Sequence, residues 1–308
     1  MLKPHLIFKN ARVLNRLALS ALLSLITTAS FAASEAGTNG RDILEKLADY
    51  QRSITDSAFV KSRLSSCQYG IKANKITCVE DPRVKLLEAV GINYGKEHKD
   101  TKNVTIVVSP AAEKGVGMLN YTYDEPGKDN ETWLYLSALG KVKRIASGNS
   151  EDDSEPASLF GSEFTTEDTD TGKLDDYTIN VLGEATEAGR PVWKIETLPN
   201  AERARKTRYT RTVLYVDKER YVSLRAEMYD KQAKEVKRLL TSKVDEIKGV
   251  WTARSQTMMN LVTNRLSNMV RTEINTDVSI PEDFLTQRTL TDVAFRETTL
   301  EKLRTQLK

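Results

Sequence analysis

The chain has 308 residues, with 46 Lys and Arg against 43 Asp and Glu, two His and two Cys. This length admits one large domain or two small ones, and the near-balanced charge gives no sign of the strongly basic face that nucleic-acid binding wants. So few histidines and cysteines leave little room for nucleophilic or metal chemistry that depends on them.

Residues 1–32 read as a leader. Lys3, Lys9, Arg12 and Arg16 precede an apolar run over 17–26, with no acidic residue among them. Ser30 and Ala32 flank Phe31, which fits a signal peptidase cut after Ala32. The run falls short of the roughly 20 residues a helix needs to cross a bilayer. The pattern predicts export of residues 33–308 to an oxidising compartment, most simply the periplasm. No Cys stands near the cut, so lipidation at a lipoprotein cysteine is excluded. The small basic excess resides in the leader, and the mature chain is close to neutral.

A helix is predicted from Asn39 or Gly40, where Ile43, Leu47 and Tyr50 recur at helical spacing and Leu44 and Ile54 widen the stripe. Cys67 and Cys78 follow. An even cysteine count in an exported chain reads as a structural disulfide, whereas a metal pair would want CxxC spacing and a second pair of ligands. Pro82 suits the first turn of a second short helix through Val84, Leu87, Val90 and Ile92.

From residue 104 the texture changes to β-branched and aromatic runs separated by turn signals. Strands are predicted over 104–109, 116–124, 132–136, 141–146, 177–182, 192–198, 209–216, 222–229, 236–244, 251–262 and 265–278. Short turns with no helical crossover imply an antiparallel meander, and a helix closes the chain near Leu300. The expected class is α+β, a strongly curved antiparallel sheet with helices on one side. Over 209–216 both parities are apolar, Val213 and Tyr215 against Leu214 and Val216. A sheet wetted on one face alternates more cleanly. The pattern fits a concave face that holds something apolar, and it fits a plain sandwich core as well.

Catalytic signals are weak. His98 lies in the charged segment 95–100 and reads as solvated, without the pocket that tunes a general base. No Gly-rich phosphate loop, HExxH or CxxC occurs. The stretch from Asp168 starts like a calcium loop, but Lys173 stands where the turn needs Gly and Ile179 where Glu should close the site. The acidic run 151–155 reads as a loop. Sequons begin at Asn103, Asn120 and Asn130 and would matter only in a eukaryotic secretory route. Neither an enzyme nor a cofactor or metal protein is expected.

The stretch 133–146, with Trp133, Tyr135, then Ser137-Ala138-Leu139-Gly140 and the basic Lys141, Lys143 and Arg144, resembles a signature of outer-membrane lipoprotein-sorting proteins of the LolA-like superfamily. The resemblance continues in Phe160-Gly161-Ser162-Glu163-Phe164-Thr165-Thr166-Glu167-Asp168, in Tyr229-Asp230 with Lys237, in Thr257-Met258-Met259-Asn260, and in the stretch 281–290 around Phe284. Ser137 replaces an expected proline and Glu163 an expected aspartate. The segment 65–101, with its helix and disulfide, reads as an insertion.

The resemblance implies a half-open barrel of about ten or eleven strands, within the usual range for large sheets, closed by helices on its concave side. Residues 33–308 would form one lipid-carrier domain. The implied function is a periplasmic carrier that shelters acyl chains of a lipid or acylated lipoprotein, serves an RND-type exporter or outer-membrane trafficking, and touches the membrane surface transiently. The candidate cavity wall is Trp133, Tyr135, Trp193, Tyr215, Met228, Trp251 and Met259, with Phe160, Phe164 and Phe284 on lid-like segments. Large aromatics are also ordinary core residues, and Lys143 and Arg144 read equally as a solvated strand face. Two rivals come from other classes. One is an envelope-transporter adaptor that binds protein and no lipid. The other is a lipid hydrolase or isomerase using Glu163, Glu167 and Asp168.

Overall fold

The computed structural model describes residues 39–145, 157–169 and 171–306. The leader, the acidic run 151–155 and Asp170 of the calcium-like stretch lie outside the described residues. The described residues fall within one compact unit.

Helix α1 (Gly40–Arg52) begins where the side chain of Asn39 accepts from the backbone N–H of Arg41, an N-cap that satisfies one free donor of the first turn. It buries Ile43 and Leu44. The strands are β1 (Ser57–Lys72), β2 (Lys75–Cys78), β3 (Arg83–Tyr94), β4 (Asp100–Ser109), β5 (Gly117–Thr122), β6 (Glu131–Leu136), β7 (Lys141–Ile145), β8 (Tyr177–Glu187), β9 (Arg190–Pro199), β10 (Arg211–Asp217), β11 (Ser223–Tyr229), β12 (Glu235–Ile247), β13 (Val250–Asn260) and β14 (Arg265–Thr276). Between β7 and β8 lies the short helix α2 (Thr166–Thr169), and the described chain ends with α3 (Gln287–Thr291) and α4 (Val293–Thr305).

All fourteen strands join one sheet in the order β7-β6-β5-β4-β3-β1-β14-β13-β12-β11-β10-β9-β8, with β2 paired only to β1. Two meanders are thus sewn together at the centre, where β1 pairs antiparallel with β14 from Ala58↔Thr276 to Gln68↔Arg265. The edges β7 and β8 do not pair, so the sheet stays open. Bulges between Lys61 and Ser62, Tyr215 and Val216, and Met228 and Tyr229 bend the strands locally.

Three expectations are corrected here. The sheet has fourteen strands, not ten or eleven. Residues 83–94 are a strand, not a helix after Pro82: β3 buries Leu87 on one face and Val90 on the other. Apolar side chains on both faces blur the two-residue period into something like a helical stripe. Within the segment 65–101, β3 and the end of β1 lie at the middle of the sheet. Only the hairpin of β1 and β2 projects from it. Its cysteines pair as expected, with Cys67 and Cys78 joined and their Cα atoms 5.8 Å apart.

The third correction concerns the helices, which do not together close one side. Side chains alternate along a strand, and β1 and β3 pair without a register shift from Ser57↔Ile92 to Ser66↔Arg83. Phe59, Val90, Val104, Ile106 and Leu119 point to one face and pack with Leu290, Leu300 and Leu303 of α3 and α4. Leu64, Leu87, Val107 and Met118 point to the other face and meet Leu159 and Phe160. Following the paired rungs across β14, β13, β12, β11 and β10, this second face carries Met258, Leu239, Ala226, Leu214 and Ile195. There α1 docks Ile43 and Leu44 on Ile195 and Val216. One face therefore belongs to α4 and the other to α1.

Candidate functional site

The α1 face is crossed by residues 157–169, a strap on the route from β7 to β8. Its turn needs left-handed backbone at Phe160 (φ 55°) and Gly161 (φ 69°), a conformation glycine adopts without cost. Ser162 closes the turn by donating from Oγ to the Leu159 carbonyl at 2.7 Å, and Leu159 N–H donates to the Phe164 carbonyl at 2.8 Å. Phe160 then packs with Leu64 and Leu87, while Phe164 reaches Met228, Met258 and Leu239 further along.

Each strap carboxylate is committed. The backbone N–H of Glu163 donates to Ser267 Oγ at 2.9 Å, and that hydroxyl shares a 2.7 Å hydrogen bond with Ser66. The Glu163 carboxylate accepts from Asn260 at 3.1 Å and from Arg265 at 3.2 Å. Glu167 accepts from the Thr207 hydroxyl and the Arg208 backbone N–H. Asp168 accepts from Lys237 Nζ and Thr165 N–H, both at 2.7 Å, and its other oxygen from the Tyr209 hydroxyl at 2.7 Å. Burial, with the charges of Asp168 and Glu167 beside it, pushes the Tyr209 phenol far above its ordinary range, so this tyrosine is a fixed donor. Carboxylates held this way act as fastenings. His98 is exposed and stands 2.9 Å from Asp56. Among the described residues no group of acidic, His and Cys side chains is placed to hold a metal.

The strap brings together three stretches that are far apart in the chain. Glu163 meets Asn260, Phe164 meets Met258, and Asp168 meets Lys237. Each had matched the family resemblance separately, and none of these contacts was legible from spacing.

The ten cavity candidates do not converge. Phe160, Phe164, Trp193 and Met228 belong to the α1 face, in three adjoining clusters. Trp133, Tyr135 and Phe284 lie beneath α3 and α4 on the opposite face, with Trp133 edge-on to Tyr121 at 5.0 Å. Tyr215 packs with Val192 and Val213 under the guanidinium of Arg225, 3.8 Å from the ring. Met259 is buried and points away from its neighbour Met258. Trp251 lies under Arg220 at 4.2 Å.

Two hollows bear on a ligand. A pocket of about 60 Å³ lies under the strap, lined by Leu64, Ser66, Arg83, Lys85, Glu113 and Gly161. An open groove of about 540 Å³ runs along a flank of α1 past Asp42, Glu45, Lys46, Asp49, Tyr50 and Ser53. The first is too small for an acyl chain and the second lies open at the surface, so neither is an enclosed apolar chamber. The middle rungs of the α1 face are different: Val60, Leu214, Leu239 and Met269 are only half-buried there. Beside them stand Arg254, Gln256 and Arg271, which carry no local signal in the sequence.

This large open antiparallel sheet is a LolA-like fold, as the comparisons show. A DUF1329 family protein from Desulfovibrio piger superposes with a TM-score of 0.68 at 23% identity, over 82% of this chain and 97% of that one. A domain described as that of an outer membrane lipoprotein-sorting protein, from Vibrio parahaemolyticus, gives 0.69 at 22% identity over 82% and 98%. A LolA superfamily protein from Nitrosomonas europaea gives 0.57 at 15% identity over 81% and 98%. The chain belongs to the family whose model, described as "Uncharacterized protein", matches residues 99–292. No curated protein matches the sequence.

Proposed function

We propose that this chain is an exported carrier that shelters the acyl chains of a lipid or acylated lipoprotein on the α1 face of its sheet. The observation that carries this reading is the half-burial of Val60, Leu214, Leu239 and Met269 on a face that α1 and the strap cover only in part. Each acyl methylene moved from water onto such a surface contributes about 0.8 kcal/mol, so carriage needs an apolar bed and no chemistry. The fold shared with the lipoprotein-sorting domain and the LolA superfamily protein supports the same reading.

Loading then requires a cover to move, since a ligand selects the state that exposes its bed. The strap is bolted by Asp168, Glu163 and Glu167. Helix α1 is held by Ile43, Leu44 and Leu47 and by hydrogen bonds from Tyr50 to the Gly249 carbonyl and from Gln51 to the Tyr221 and Trp251 carbonyls. In this proposal α1 is the moving cover. Of the ten cavity candidates, Phe164, Trp193 and Met228 contact the guest. The compartment is the periplasm, and an RND-type exporter is the expected membrane partner. Because the strap carboxylates are fastenings, the hydrolase reading is set aside.

Gentle purification followed by native mass spectrometry tests the proposal. A stoichiometric acyl-bearing lipid is the expected result, and a protein that stays empty after incubation with liposomes overturns it. One observation favours the adaptor reading instead: on the β1–β2 hairpin, Ile71 is 75% exposed and Val79 62%, the kind of apolar surface a protein partner covers. An empty carrier that captures an envelope transporter through this hairpin would establish that alternative.

A further inference from the structure

The middle of the α1 face carries a charge the fold does not neutralise. Arg271 stands opposite Ser62 on the rung next to Leu64 and Met269. It lies within the sheet, between β1 and β13, and its Nη1 donates to the Ala253 carbonyl at 2.6 Å. No carboxylate reaches it among the described residues. Its neighbour across the rung is Arg254, one residue before Ser255, which pairs with Val270. The Nε of Arg254 donates to Asp245 at 2.8 Å, and its Nη1 is buried without a hydrogen-bond partner.

Arg254 thus has one partly exposed carboxylate, Asp245, which Lys243 also approaches at 3.7 Å, and Arg271 has none. Burial, and then repulsion from Arg254, bring the Arg271 pKa below its ordinary value, the direction expected for a cation short of counter-charge. Two other partly exposed arginines are each matched by a buried carboxylate. Arg190 takes both oxygens of the fully buried Asp217, and Arg304 takes both of Glu88. An unmatched, desolvated cation is costly to keep, and stability alone gives no reason for one beside half-buried Met269 and Val60. A guanidinium with free donors is, however, well shaped to hold a carboxylate or phosphate.

We propose that Arg271, with Arg254 beside it, binds the oxyanion of the carried amphiphile, so that an acidic head is seated on these rungs and its tail lies along the apolar residues of the same face. The inference deepens the carrier reading and rests on it for the tail. Charge sets the orientation. The α1 flank beside the open groove carries Asp42, Glu45 and Asp49 against Lys46 and repels an anion at that rim, while Arg271, Arg254 and Lys243 gather around the single carboxylate of Asp245 and leave that cluster net positive.

The test compares palmitate, its methyl ester and inorganic phosphate by calorimetry and native mass spectrometry, on the full mature chain and on R271Q and R271K. Wild type should bind palmitate about tenfold or more tighter than the ester, the scale of a charge-assisted hydrogen bond, and phosphate far more weakly. R271Q should lose this preference while still binding the ester, and R271K should retain part of it. If R271Q distorts the sheet, the wild-type comparison and R271K still decide the matter. Equal binding of palmitate and ester by wild type, or full preference in R271Q, overturns the oxyanion site and leaves the carrier reading standing. Phosphate binding as tight as palmitate overturns the amphiphile as ligand. If wild type binds neither palmitate nor ester, the carrier reading falls and takes this inference with it.

Discussion

Lys237 on β12 and Asp168 at the end of the strap meet at 2.7 Å, with 12% and 3% of their side chains exposed. Sixty-nine residues separate them in the chain, and the pair fixes where the strap crosses the sheet. A buried ion pair adds little net stability over apolar packing, but removing one partner strands the other charge.

Lys237→Met should therefore destabilise the protein by about 3 kcal/mol or more, read as a lower urea midpoint. Asp168→Asn should act in the same direction, by less if the amide keeps the hydrogen bonds from Thr165 and Tyr209. Additive losses in the double variant would show that the two do not act as a pair. Amide replacements at Glu163 and Glu167 are likewise expected to change stability and not turnover. A lipid-hydrolysing activity that these replacements abolish would reinstate the enzyme reading.

What the sequence made legible follows from how far each signal travels. Helix α1 announces itself through Asn39 and the Ile43–Leu47 spacing, which are local. Most strands from β4 onward are marked by turns and β-branched runs. Strands β1 and β3 were missed because Ser62, Ser65 and Ser66 dilute one and two-sided burial of Leu87 and Val90 disguises the other. The faces were beyond reach for a different reason. Whether Met258 or Met259 meets the strap depends on register across several strands, and a one-residue slip reverses it. Arg271 gives no local sign, since its singularity lies in the lack of a nearby carboxylate.

Acid should weaken the fold through Asp217. Burial alone would raise this carboxyl, but hydrogen bonds from Arg190 and from the backbone N–H groups of Arg220 and Glu219 outweigh burial and hold it below the ordinary value. A carboxylate lowered in the folded state contributes stability above its unfolded pKa, about 3.9, and loses it as pH falls through the folded value. The urea midpoint should be flat from about pH 5 to 7 and drop below about pH 4. Asp217→Asn should lower stability near neutrality and flatten part of that acid slope; an unchanged slope would assign it to other carboxylates.

The disulfide makes two separable expectations. Cys67 is buried and its bond to Cys78 closes a separation of 11 residues, which in the chain-entropy account is worth about 3 kcal/mol. Replacing both cysteines with serine should lower stability by up to that amount, while Ile71 and Ile76 still face each other across the hairpin. Protein recovered from the envelope should resist thiol labelling until reductant is added. Labelling without reductant would mean that the bond does not form in the cell.

Gly117 tests how closely α3 must approach the sheet. It lies on β5 directly opposite Ile106 and Tyr135, on the α4 face. A Cβ built there would stand 2.6 Å from Ile106 Cδ1 and 2.9 Å from Leu290 Cδ2, and Leu290 is fully buried on α3. Both are tips of side chains that can yield, so alanine should cost about 1–3 kcal/mol through overpacking and not abolish folding. Valine should cost more, and trimming the opposing side chain should relieve it. The double variant Gly117→Ala, Leu290→Val is the decisive comparison. Recovery of stability relative to the sum of the single changes places α3 against this rung. Strict additivity would separate the two residues and with them the packing of the C-terminal helices on the face away from α1.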